Sequence, residues 1–233
     1  MYSPQHFEET RTEILHALIA AHPLATLVTL TGHGLEANAI PLLLRHDGSP
    51  FGTLVGHVAR ANPLWREFEP SVEALAVFQG PNAYITPAWY ATKLETGKVV
   101  PTWNYVVVQA HGRLRSIDDP AWVRALLDEL TARHESPRPA PWSVDDAPAD
   151  YIHALLRAIV GIEMPVARIA GKWKLILISV QDETNCGMLP EVESSGSTAW
   201  QDLGRWTWDW SRKHRCWLWR PRRWRTCVAR RRC

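Results

Sequence analysis

The 233 residues carry 26 Lys+Arg against 24 Asp+Glu and are 46% hydrophobic, enough chain and apolar content for a substantial core. No run reaches the roughly 18–20 apolar residues that span a bilayer, and the polar, acidic start from Met1 to Glu9 does not read as a secretory leader, so a cytoplasmic protein without membrane contact is expected. The near-neutral total hides two unlike regions: residues 1–199 hold 15 Lys+Arg against 22 Asp+Glu, a net −7, whereas residues 200–233 hold 11 against 2, a net +9.

Ser3-Pro4 has the chemistry of a helix start, with Ser as N-cap and Pro at the first helical position. Phe7, Ile14, Leu15, Leu18 and Ile19 then fall on one helical face, and His22-Pro23 ends it. After that the pattern turns to strands: Ala25–Leu30, a turn at Thr31-Gly32-His33-Gly34, then Leu35–Arg45 and Phe51–Ala59, separated by His46-Asp47-Gly48. Asn62-Pro63 predicts a short helix carrying Leu64, Trp65 and Phe68, followed by a strand over Ala74–Gln79. Val99–Ile117 holds the longest strand signal. Asp119-Pro120 repeats the helix-start chemistry, with Trp122, Leu126 and Leu130 on one face. Pro137–Pro148 reads as a loop, Tyr151 to Ile159 as a third amphipathic helix capped by Gly161, and Ile162–Leu175 as a strand. Five or six strands with helices set between them predict a mainly β, α+β barrel rather than alternating βαβ units.

Gly32-His33-Gly34-Leu35-Glu36-Ala37 matches a dinucleotide fingerprint on paper, but that fingerprint requires a helix to follow. A strand follows here, so the segment is a hairpin turn. Gly56-His57-Val58-Ala59-Arg60-Ala61-Asn62-Pro63 places one arginine at a strand end just before a helix start. Arg60 there suits a bidentate phosphate contact, with helix-start N–H groups adding donors, although the residues taken alone fit a surface arginine beside an Asn-Pro turn better. Gly80 to Tyr90 and Val100 to Tyr105 concentrate aromatics beside prolines, which argues against ordinary central strands. Such segments suit a flat ring ligand, with Thr102 and Asn104 offering hydrogen bonds to its edge, and they suit a dimer interface as well. No G-x-S-x-G, P-loop, H-E-x-x-H or paired-Cys zinc spacing is present. The sequence therefore offers no catalytic nucleophile and no metal site.

The opening Met1-Tyr2-x-Pro4-x-His6-Phe7, the Gly56–Pro63 segment, Gly80-Pro81 with Tyr84-Ile85-x-Pro87-x-Trp89-Tyr90, and Val100-Pro101-Thr102-Trp103-Asn104-Tyr105 together resemble the PaiB family. Ile159-Val160-Gly161-Ile162 and Gly171-Lys172-Trp173-Lys174-Leu175 continue the resemblance in order. What it implies is an FMN-binding split β-barrel of the pyridoxamine-phosphate-oxidase-like kind, working as a homodimer with FMN near the subunit interface, and a negative regulator of transcription. It also implies Arg60 as the FMN phosphate partner, with His57, Asn62, Thr102, Trp103 and Asn104 around the ring and ribityl chain. An FMN-dependent oxidoreductase and a haem-handling split-barrel protein are the alternative functions, since fold does not fix function.

The resemblance stops at Leu175. The family pattern continues Gly-Lys-x-Lys-Leu-Ser-Gln-Asn, whereas this chain reads Ile176-Leu177-Ile178-Ser179. All four cysteines and seven of the thirteen tryptophans then follow. Two domains are thus expected: a flavin-binding barrel over 1–175, and an atypical tail over 176–233 that is poorly ordered and has the composition of an out-of-frame reading of a GC-rich gene. The other reading of the tail is a basic-aromatic arm for nucleic acid. Nothing in residues 1–175 resembles a helix-turn-helix, and their net negative charge opposes strong phosphate-backbone binding, so DNA contact, direct or indirect, rests on the family alone.

Overall fold

The computed structural model describes residues 1–90, 92–175 and the strand pairs Thr207–Trp208 and Trp217–Leu218. Its first element is not the long helix expected from Ser3-Pro4. Gln5–Phe7 makes one 3-10 turn, β1 (Glu8–Glu9) pairs with a later strand, and only then does α1 (Thr12–Ala21) begin. The reason is local: the Glu9 carboxylate accepts hydrogen bonds from the Arg11 backbone N–H at 3.0 Å and its Nε at 2.8 Å, bending the chain. Leu15, Leu18 and Ile19 of α1 are buried, as the helical spacing required.

Strands β2 (Leu24–Thr31) and β3 (Gly34–Pro41) form a hairpin across Gly32-His33. The Thr31 hydroxyl closes it, accepting from the His33 N–H at 3.1 Å and donating to the Gly34 carbonyl at 3.1 Å, and Gly34 has a φ of 115° that favours glycine. The dinucleotide reading is thereby excluded. After β4 (Leu43–Arg45) and β5 (Thr53–Ala59) come the single-turn α2 (Leu64–Glu67) and β6 (Ala74–Ile85). Strand β6 runs straight through Pro81, contrary to the expectation that proline would exclude a strand there. A 3-10 turn at Pro87–Trp89 and α3 (Thr92–Thr96) precede β7 (Thr102–Gly112) and β8 (Arg115–Ile117). Helix α4 (Pro120–Glu135) starts as predicted, with the Asp119 side chain accepting from the Ala121 N–H at 2.8 Å. A short 3-10 turn, Val144–Asp146, interrupts the proline-rich loop before α5 (Ala149–Leu156) and β9 (Ile159–Lys174).

The sheet runs β3-β2-β6-β7-β9-β5-β4, with β1 and β8 also paired to β9, so it holds more strands than the five or six expected. The 16-residue β9 is its spine. Its first half pairs with β5 on one edge and β8 on the other, its second half with β7 and β1. Between the halves the register slips: His111 faces Arg168 while Gly112 faces Val166, a bulge of the kind that bends a strand and lets a sheet curl. This is a mainly β split-barrel architecture with helices.

Gly161 does not cap α5. It lies inside β9, opposite His57 of β5 and Ile117 of β8, and a Cβ there would sit 2.4 Å from the Trp122 ring. The absent side chain is what lets α4 lie on the sheet. The main core takes the inward residues of the strands with α1, among them Leu15, Ile19, Leu27, Phe78 and Val108; a smaller cluster of Val123, Val144, Ile152 and Leu156 joins α4 to α5. Two compact units are distinguished, one comprising Met1–Ala83 and Asn104–Leu175, the other including Tyr84–Trp103. Near the C-terminus, β10 (Thr207–Trp208) pairs antiparallel with β11 (Trp217–Leu218) in the backbone register Thr207 to Leu218. The rest of the expected poorly ordered tail lies outside the described residues.

Candidate functional site

Strand β5 and the turn after it carry three of the residues singled out by sequence. His57 is half-buried and faces the glycine at 161. Its Nδ1 is buried with no hydrogen-bond partner among the described residues, and burial pushes the imidazole below its ordinary value, toward the neutral form. A buried ring nitrogen without a partner is uncommon in a finished interior. Nε2 of His16, His22 and His111 is unpaired in the same way, so this nitrogen does not by itself mark a ligand site.

Arg60 follows the end of the strand. Its backbone N–H donates to the Ala158 carbonyl at 2.8 Å, and its guanidinium makes four hydrogen bonds of its own. Nε donates to the Arg157 carbonyl at 2.7 Å, Nη2 to the Ile159 carbonyl at 3.3 Å, and Nη1 and Nη2 together grip the Asp118 carboxylate at 2.8 and 2.5 Å. The Trp65 ring lies under the guanidinium, 5.5 Å from its centroid, and the indole N–H donates to the Arg60 carbonyl at 3.0 Å. Arg60 is thus neither a loose surface arginine nor a waiting one: it is held in a fixed plane with its fork turned on a carboxylate. The Arg60 pairing holds the Asp118 carboxyl below its usual range.

Asn62 works on the backbone. Its side-chain oxygen accepts from the Leu64 N–H at 2.9 Å, while its amide donates to the Asn38 side chain at 3.0 Å, tying α2 to β3. The helix-start donors expected to help Arg60 bind a phosphate are not supplied: α2 is four residues long and the Leu64 N–H is already taken, too short for an aligned macrodipole.

Thr102, Trp103 and Asn104 open β7. Thr102 and Asn104 are half-buried, and Trp103 is 53% exposed, meeting Tyr84 edge-on at 5.9 Å between centroids. Both aromatics belong to the second unit, as do the exposed Trp89 and Val100. Among the described residues no group of three or more His, Cys, Asp or Glu could hold a metal ion, and no helix is long and apolar enough to cross a membrane. Sequence reasoning missed Asp118 and Asn38. The 58-residue separation of Asp118 from Arg60 leaves no local signal.

Comparison with known proteins identifies the class to which this split barrel belongs. The family described as "Putative FMN-binding domain" matches residues 1–168, and the chain belongs to it, as a flavin-binding protein of the PaiB type. The protease synthase and sporulation protein PAI 2 of Bacillus subtilis is 31% identical, over 75% of this chain and 81% of that protein. An uncharacterized protein of Emericella nidulans is 33% identical over 85% of this chain and 93% of its own length. Among solved structures, the FAD and heme binding protein of Mycobacterium smegmatis superposes with a TM-score of 0.53 at 18% identity, covering 76% of this chain and 77% of that one. The flavocytochrome Anf3 of Azotobacter vinelandii gives a TM-score of 0.52 at 15% identity, over 78% of this chain and 76% of its own. At such identities these structures testify to the fold.

Proposed function

We propose that this protein is an FMN-binding negative regulator of transcription that works as a homodimer. What supports the flavin part is the match of residues 1–168 to the FMN-binding family, together with the strand-end Arg60 fork, whose Nη1–Nη2 edge already grips a carboxylate in the two-point manner a phosphate would use. Arg60 holds the phosphate, as guanidinium forks do for phosphates generally. His57, Asn62 and Asn104, which belong to the same compact unit as Arg60, border the ring and ribityl chain, while Thr102 and Trp103 fall in the other unit. Bound FMN supplies an isoalloxazine ring able to accept electrons; the residues on this chain bind and orient it. Titration with FMN and with riboflavin tests the phosphate role: FMN binds more tightly if Arg60 holds the phosphate, and equal affinities contradict it.

The dimer is supported by the outer face of the β2–β3 hairpin. Leu24, Thr26, Val28 and Leu30 pair across the strands with Pro41, Ala39, Ala37 and Leu35, and Val77 and Leu75 of β6 extend the row. Leu24 is 63% and Leu35 77% exposed. An uncharged face three strands wide is more than a monomer ordinarily leaves in water, and a second copy is the occupant proposed. Exposed Tyr84, Trp89 and Trp103 add aromatic surface of the interface type.

Contact with DNA, where direct, is assigned to residues 200–233, whose net +9 contrasts with −7 before them. Retardation of a DNA fragment by the full chain that weakens steeply with salt supports this assignment; binding retained by a chain ending at Leu175 contradicts it. The oxidoreductase reading predicts bleaching of bound flavin by a substrate under anaerobic conditions, and the haem reading predicts a Soret band that depends on a histidine.

A further inference from the structure

The carboxylate of Asp118 occupies the place on Arg60 where a phosphate would bind, and three other contacts keep the guanidinium in that orientation. Arg157 O and Ile159 O take its Nε and one Nη2 hydrogen, and the Trp65 ring supports its face. The Nη1–Nη2 edge that remains is the edge that grips Asp118 in the two-point manner shared by carboxylates and phosphates. Asp118 itself follows β8 and precedes the Asp119 cap of α4, and its side chain is 51% exposed, so it can turn into water without unmaking either element.

Resting on the flavin-binding reading above, we propose that Asp118 is a built-in competitor for Arg60, and so the residue that sets how strongly the site prefers FMN over riboflavin. In the free protein the pair is closed. A flavin phosphate takes the Arg60 fork only by displacing the carboxylate, so part of its interaction is offset by the lost ion pair and by repulsion between two anions. Riboflavin has no phosphate and leaves the pair closed. Removing the charge of Asp118 relieves both penalties, whereas a purely structural role for the pair predicts the reverse, because Arg60 would lose an anchor. Arg66, which also acts on Asp118 and lies 4.1 Å over the Trp65 ring, remains as a partner for the displaced carboxylate.

The test compares the full chain with Asp118→Asn, reading FMN and riboflavin affinity by quenching of flavin fluorescence. The expected result is FMN affinity increased about tenfold with riboflavin affinity unchanged. An unchanged or reduced FMN-to-riboflavin ratio overturns the proposal. A second measurement needs no variant: with carboxyl-labelled aspartate, saturating FMN should move the Asp118 titration up toward the ordinary carboxylate range, and riboflavin should not. An Asp118 titration indifferent to FMN overturns it too. Failure of the flavin reading looks different, since the unaltered chain would then bind neither flavin.

Discussion

Arg60 has two duties that pull on mutagenesis in different ways. It is the proposed phosphate partner, and it also ties the end of β5 to the start of β9 and to Asp118. Arg60→Ala should therefore weaken FMN by roughly ten- to a hundredfold, the range for a hydrogen bond to a charged group, and lower the melting temperature. Riboflavin affinity separates the two: it should change little if the loss is of phosphate contacts, and should fall in parallel if the fold is at fault. His57 gives a prediction in pH. Its folded value is pushed below 6.5 by burial, as are those of His16, His22 and His111. Below pH 6.5 the unfolded chain binds protons that the folded chain does not, so stability is full above that pH and falls as acid is added, until the folded histidines titrate. Urea midpoints measured from pH 8 to 5 should show the decline, and His57→Asn should make it shallower. A flat profile would mean these imidazoles gain partners when protonated.

At the scale of elements, Gly161 is the most informative single position. Gly161→Ala places a Cβ against Trp122 and 3.1 Å from the Ile117 carbonyl, and overpacking of this kind costs about 1–3 kcal/mol. Thermal unfolding checks the loss; a wild-type melting temperature would show that α4 moves away freely. The same position shows what the sequence conceals. Gly161 follows an amphipathic helix and reads locally as its cap, yet its neighbours are His57 and Ile117, far away in the chain. Periodicity did reveal the buried face of α1, the Asp119 cap of α4, the β2–β3 hairpin and most strands. The extension of β6 through Pro81 and the β1 pairing were hidden, because sheet partners compensate for local propensity. At the site, the motif marked His57, Arg60 and Asn62, while their partners Asp118 and Asn38 emerge only from tertiary pairing. The outer hairpin face was equally unreadable until register put Leu24, Leu30 and Leu35 on one surface. Leu35→Glu should shift the proposed dimer toward monomer in sedimentation, without unfolding the hairpin, since Leu35 is exposed in the single chain. An unaltered dimer would move the interface elsewhere.

For the whole molecule, the charge division is the feature that matters most. The first 199 residues are acidic and include every proposed flavin contact, and the arginines and tryptophans gather beyond them. A chain ending at Leu175 should keep its flavin and its melting temperature if the tail is passive, and a fall of many degrees would show that the tail supports the barrel. Flavin binding itself is the claim on which the rest depends. Freshly purified full chain, stripped and then titrated with FMN, should recover a flavin absorption spectrum that travels with the protein through gel filtration, in a ratio of one flavin per chain. A colourless protein that leaves FMN entirely in the small-molecule fractions, or one that purifies with a haem Soret band and takes up no flavin, would contradict it.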